Sequence, residues 1–102
     1  MQILYQWLQL AKQAEAQQLL DEFLSLSFTP KEYAQLEKRY LLLEALVSQQ
    51  MPQRELAKTL EVSIAKITRG SNALKPISPK LKRLLQNFFT HHHEGKNNAK
   101  NP

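Results

Sequence analysis

Residues Gln53 to Lys75 read QRELAKTLEVSIAKITRGSNALK, and this stretch constrains the fold more than any other. Leu56 and Leu60 stand one helical turn apart and share a face. Ala57 is small enough for a second helix to cross closely, Val62 is placed to plug a turn, and Ile67 to anchor the second helix from beneath. Ser63 is a favourable N-cap for that second helix. The spacing predicts a helix, a tight turn and a second helix whose outer face is short, basic and polar. A small protein presents side chains to the major groove of DNA in this way. Glu61 departs from the usual pattern, because glycine is common at this turn position and a positive φ is costly for any other residue. Two helices that merely pack together would show the same spacing, so spacing alone leaves DNA binding and simple packing equally open.

Charge separates the two readings. The chain has 102 residues, with 14 Lys+Arg against 9 Asp+Glu and a net charge of +5. Residues 53–85 hold Arg54, Lys58, Lys66, Arg69, Lys75, Lys80, Lys82 and Arg83 against only Glu55 and Glu61, a net of +6 that leaves −1 for the rest. The excess lies on and just after the two-helix motif, where phosphates would lie. A solvated charged face does not account for that segregation.

The rest of the chain is helical in pattern. Ile3, Leu4, Trp7, Leu8, Ala11 and Ala14 predict a first helix over about 2–17, and Leu19, Leu20, Phe23 and Leu24 a shorter one over 17–26. Thr29-Pro30-Lys31-Glu32 is a capping box with proline at the first helical position. The helix it starts runs to about Ser48, with a stripe of Tyr33, Leu36, Tyr40, Leu43 and Val47 that Leu42 and Leu46 widen. Ser78-Pro79 starts a last helix with Leu81, Leu84, Leu85 and Phe88 as its apolar face. One helical domain over 1–90 is expected, followed by a polar, disordered tail over 91–102. The apolar inventory exceeds what a monomer of this kind can bury, which predicts a homodimer made mostly by the N-terminal helices and the last helix.

Other classes are weakly supported. The chain has no cysteine, which excludes disulfides and thiol catalysis. No apolar run approaches the ~20 residues of a membrane span, and no signal peptide is visible, so a cytoplasmic location is expected. His91, His92 and His93 adjoin Glu94 in the tail and do not form the converging ligand set a metal site requires. No nucleophile–base pair and no glycine-rich phosphate loop is visible, so neither an enzyme nor a cofactor is expected.

TPKE at 29–32, QRELA at 53–57 and ITRGSNALK at 67–75 closely resemble the bacterial Trp repressor family, tryptophan-dependent regulators of tryptophan genes. The likeness runs without gaps from about Ser25 to Lys75 and more loosely through the flanking helices. It implies an all-α protein of six helices per chain, intertwined as a homodimer, that binds palindromic operator DNA. It also implies that L-tryptophan, as corepressor, lies between the core and the helix-turn-helix and sets the spacing of the reading heads. By position, Arg69 would receive the ligand carboxylate and cover one face of the indole, and Arg39 the other. Leu26 and Phe28 would offer backbone carbonyls to the ammonium with Thr29 close by, and Leu43 and Gly70 would line the indole slot. Guanidinium suits this role, because it pairs bidentately with carboxylate and stacks well on indole. Gly70 would leave a hole beside the reading helix for a planar ligand. From the residues alone, Arg39 and Arg69 as surface or phosphate-binding groups and Gly70 as a close-packing residue remain open alternatives.

The same resemblance assigns DNA contacts. Gln53 and Arg54 begin the first motif helix, and Arg54 matches the residue that touches a guanine, whose O6 and N7 fit the arginine fork. Ile64, Ala65, Lys66 and Thr68 open the reading helix, Arg69 follows them, and Asn72 and Lys75 suit backbone contacts. Three departures stand out. Ala73 replaces a serine that meets the ligand ammonium, Pro52 replaces a capping serine, and Glu61-Val62-Ser63 replaces a more glycine-rich turn. These departures keep open a regulator of the same fold that is ligand-independent or senses a different ligand. A helical protein whose basic patch binds an acidic protein partner is the remaining alternative.

Overall fold

In a computed structural model, the backbone is described over residues 2–48 and 51–100, and the side chains over 2–48 and 51–91. The order is α1 (Gln2–Ala16), α2 (Leu20–Ser27), α3 (Pro30–Ser48), α4 (Gln53–Leu60), α5 (Ile64–Leu74) and α6 (Pro79–Lys100). No strand occurs among the described residues, as the all-α expectation requires. Contacts divide the chain into two compact units, Met1–Leu36 and Glu37–Pro102. No helix among the described residues is long and apolar enough to cross a membrane.

In the first unit, α1 and α2 pack on each other. Trp7 organises the contact. Its ring lies 5.5 Å from Phe23 and, edge-on, 5.9 Å from Phe28, and its indole N–H donates to Ser27 Oγ at 3.1 Å. Gln18 closes α1 in the left-handed region (φ 62°), and the Leu19 N–H reaches back to the Ala14 carbonyl at 2.8 Å. This closure delays α2 to Leu20, where periodicity alone begins it at Gln17. The capping box forms as expected. The Thr29 N–H donates to Glu32 Oε1 at 2.9 Å, and the Glu32 N–H donates to Thr29 Oγ1 at 3.1 Å. These bonds, the backbone one first, hold the Glu32 carboxyl below its ordinary value of 4.5.

In the second unit, the core is Leu42, Leu56 and Ile67, one residue from each of α3, α4 and α5. Ala45, Leu46, Ala57, Leu60 and Val62 pack around it. The face of α3 turned to this core is therefore Leu42–Leu46, the pair expected only to widen the stripe. Tyr33 and Leu36, from the expected stripe, are exposed. Residues 41–43 and 45–47 are apolar almost all round, so periodicity does not select a face there. The close approach of α5 does. In α6, Phe89 is the buried residue among those whose side chains are described, edge-on to Tyr40 at 5.6 Å, whereas Leu81, Leu84 and Phe88 of the expected apolar face are exposed. Burial, and then the nearby Glu44 charge, raise the Tyr40 phenol above its ordinary value.

Ser78 caps α6, accepting from the Leu81 N–H at 3.1 Å. The helix continues to Lys100, into the segment expected to be a disordered tail. A polar composition argues against burial, but it does not prevent an already nucleated helix from propagating through residues that form local backbone bonds. The expectation for the side chains of His92, His93 and Glu94 lies outside the described residues, as do residues 101–102.

Candidate nucleic-acid interface and ligand residues

The helix-turn-helix is built by local chemistry. Glu61 ends α4 in the left-handed conformation (φ 55°, ψ 46°), the costly geometry that its position predicts. Its N–H bonds the Lys58 carbonyl at 3.3 Å, and the next N–H, of Val62, reaches the Ala57 carbonyl at 3.1 Å. This closure places Val62 against the core and leaves Ser63 extended (φ −72°, ψ 154°) as the N-cap of α5. Ser63 Oγ then accepts from the Lys66 N–H at 3.2 Å. Pro52 caps α4 without a side-chain bond, its carbonyl accepting from the Leu56 N–H at 3.0 Å.

The core side and the outer side of this unit are cleanly divided. Leu56 and Ile67 are buried, while Gln53, Arg54, Ile64, Ala65, Lys66, Thr68, Arg69, Asn72 and Lys75 are all exposed. Ile64, half exposed at 50%, is an apolar group at the start of α5 with no core to fill. The first turn of α5 has no acidic residue, so its positive dipole end and Lys66 act in the same direction on an approaching anion.

Gly70 sits at the junction of α5 and α3 and is buried. A Cβ built there would lie 3.1 Å from Leu42 Cδ2 and 3.2 Å from Leu46 Cδ1. The space expected to be an open hole is thus filled by two leucines, and the glycine is used for close helix packing. Around this contact, Arg69 and Ala73 are exposed on α5, one turn apart, and Arg39 is exposed on α3, one turn before the half-buried Leu43.

The first unit carries the other expected ligand residues. Leu26 and Phe28 lie at the end of α2, with the Leu26 side chain 84% exposed. The helical partner of the Leu26 carbonyl would be residue 30, which is proline and has no N–H. The next available donor, the Thr29 N–H, is taken by Glu32 Oε1. The Glu32 N–H, helical partner of the Phe28 carbonyl, is taken by Thr29 Oγ1. The capping box that starts α3 therefore diverts the donors that would otherwise satisfy the end of α2. Carbonyls at a helix C-terminus carry partial negative charge and suit a cationic donor such as an ammonium. TPKE foretells the box. The Trp7–Ser27 bond beside it has no sequence signal, because it joins residues 20 apart.

A profile of the family described as Trp repressor protein matches residues 2–88. The chain belongs to the Trp repressor family. It is 42% identical over 82 residues to a Trp operon repressor homolog of Chlamydia caviae, covering 80% of this chain and 81% of that one. It is 39% identical over 80 residues to the homolog of Chlamydia trachomatis serovar D, covering 78% and 85% of the two chains. The Haemophilus influenzae homolog is 39% identical over 79 residues, covering 74% and 78%. The family match takes in all of α1–α5 and α6 as far as Phe88.

Proposed function

We propose that this protein is a DNA-binding transcriptional repressor that acts as a homodimer on palindromic operators and is activated by L-tryptophan. The observation that carries the reading is the exposed basic face of α5, held by a buried apolar contact beneath it, in a chain of this family. Gln53 and Arg54 of α4 and Ile64, Ala65, Lys66, Thr68 and Arg69 of α5 meet base edges or phosphates, with Asn72 and Lys75 on the backbone.

The ligand roles follow from the chemistry of each group. Arg69 takes the carboxylate, and Arg39 and Arg69 stack on the indole with Leu43 beneath. The unclaimed carbonyls of Leu26 and Phe28 accept from the ammonium, next to Thr29. Gly70 holds α5 close to α3 and so sets where Arg69 stands. The dimer is supported by burial. Ala11, Leu42, Leu56, Ile67 and Phe89 are the buried hydrophobic residues among those described, while Ile3, Leu4, Leu10, Leu26 and Leu84 are more than half exposed. So many exposed apolar side chains are expected of a chain whose core is completed by a second copy.

Calorimetric titration with L-tryptophan and with indole-3-propionate, followed by operator binding with and without ligand, tests the reading. One saturable L-tryptophan site per chain and tighter DNA binding in its presence are expected. No heat with either ligand would refute the ligand-gated repressor. A second reading rests on Ala73, which places a methyl group where a hydroxyl would meet the ammonium. On that reading the repressor is ligand-independent or takes an analogue without the amine, and DNA binding would then be unchanged by L-tryptophan.

A further inference from the structure

We infer that the corner between α5 and α6 is a second phosphate-binding face, which contacts the backbone of duplex DNA flanking the stretch read by the helix-turn-helix. The inference rests on the DNA-binding reading and gives the basic excess at the start of α6 a defined place, on phosphates outside the stretch read by α4 and α5.

The face is a groove in the second unit, between the end of α3, the end of α5 and the start of α6. Its walls include Leu46, Leu74 and Ile77, and its polar lining is Ser48, Ser71, Lys75, Lys82 and Gln86. Each of these five can donate a hydrogen bond to a phosphate oxygen, and none is acidic. Hydroxyl, amide and ammonium donors of this kind make most protein contacts to the DNA backbone. Lysine stems also pack well on apolar walls while their ammonium groups stay in water.

A second observation points the same way. The first turns of α6 carry Lys80, Lys82 and Arg83 with no acidic residue in the first turn. Cations are disfavoured at the positive end of a helix, so this arrangement is unfavourable in the free chain and is relieved by an external anion. Lys75 and Lys82 line one groove, so α6 continues the basic surface of the reading head beyond its C-terminal end. The phosphates it meets are those outside the bases read by α5. The occupant is a polyanion, because the charged lining of the groove is two lysines with no carboxylate, and Lys80 and Arg83 stand on the same first turns of α6.

The test compares the full chain with the triple variant Lys80→Gln, Lys82→Gln, Arg83→Gln. Two duplexes carry the same selected operator, one ending at the palindrome and one extended by about one helical turn, ~10 bp, on each side. Wild type is expected to bind the extended duplex at least tenfold more tightly, and the variant to lose that advantage. Each phosphate contact contributes about 0.9 to the slope of log K against log salt, so losing one contact per subunit lowers the slope of a dimer by about 2. Arg54→Ala serves as the contrast, losing sequence discrimination while keeping the length advantage. Equal length dependence and equal salt slope for wild type and triple variant would overturn the inference. So would a variant that sediments as a monomer, since the face would then be a subunit contact. Wild type that binds duplex without length dependence overturns this inference alone, whereas wild type that binds no duplex overturns the DNA-binding reading with it.

Discussion

Replacing Gly70 by alanine tests whether the reading head is set by a single close helix contact. The added Cβ would stand 3.1 Å from Leu42 Cδ2, 3.5 Å from Leu42 Cγ and 3.2 Å from Leu46 Cδ1. Two effects oppose each other. Alanine in a helix interior is favoured over glycine by about 1 kcal/mol. Overpacking a well-filled core costs roughly 1–3 kcal/mol. Leu46 is half-buried and has room to turn aside. Leu42 is only 3% exposed and sits against Leu56 and Ile67, so it cannot. The overpacking term should win, for a net loss of up to about 2 kcal/mol. At fixed protein concentration, each kcal/mol lowers the melting temperature of a domain this size by roughly 4–8 °C. Thermal unfolding of wild type, Gly70→Ala, Leu42→Val and the double variant completes a cycle. Leu42→Val removes the nearest methyl group, so Gly70→Ala should cost about 1 kcal/mol less in that background. Operator affinity should fall in Gly70→Ala, because α5 must move away from α3. Additivity within about 0.5 kcal/mol would refute the reasoning. A Gly70→Ala protein stabilised by the full helix term, with unchanged operator affinity, would also refute it.

Three further outcomes are expected. Glu61→Gly should stabilise the chain by about 0.5–1 kcal/mol in chemical denaturation, since the left-handed position (φ 55°) costs glutamate about 1–2 kcal/mol and glycine gives part of that back as chain entropy; a loss of stability would mean that the Glu61 side chain holds the turn. Ala73→Ser should tighten L-tryptophan binding by about 1.5–3 kcal/mol through a hydrogen bond to the ammonium, with indole-3-propionate unaffected; equal gains for both ligands would place residue 73 elsewhere in the ligand site. The Glu32 carboxyl is held below its ordinary 4.5 by Thr29, so its contribution to stability is present above pH 4.5 and is lost as pH falls through the lower folded value. Thr29→Ala should flatten that acid loss in a pH series of melting curves, and an unchanged profile would show that other carboxylates dominate it.

What the sequence disclosed was set by the range of the interactions involved. The helix-turn-helix, the Thr29–Glu32 box and the Ser78 cap are written within a few residues, and each was readable as a spacing of types. The left-handed Glu61 was readable because a turn of fixed length forces it. The left-handed Gln18 was not, because nothing in QAEAQQLL distinguishes one glutamine from the next until Leu19 turns back to Ala14. The inward face of α3 and the choice of Phe89 over Phe88 depend on partners far along the chain. The Gly70–Leu42 approach decides the first and the Tyr40–Phe89 contact the second. The candidate ligand residues fell between these cases. The family pattern named Leu26 and Phe28, but the reason their carbonyls are unclaimed emerged only once Pro30 and the capping bonds had been accounted for together.

On the proposed reading, a ligand controls how α5 is held against α3. The head is attached to α3 through Leu42, which meets Leu56 and Ile67 with Ala45, Leu46, Ala57, Leu60 and Val62 packed around them, and the absence of a side chain at Gly70 tightens the contact. The residues assigned to the ligand within this unit are immediate neighbours of that contact. Arg69 adjoins Gly70, Leu43 adjoins Leu42, and Arg39 and Ala73 lie one turn away on the same two helices. A ligand held by α3 through Arg39 and by α5 through Arg69 would therefore reinforce the contact that positions α5. In its absence the position rests on this apolar cluster alone. On the proposed reading, a bound amino acid acts through its differential affinity for two positions of α5, a coupling of about 1–3 kcal/mol.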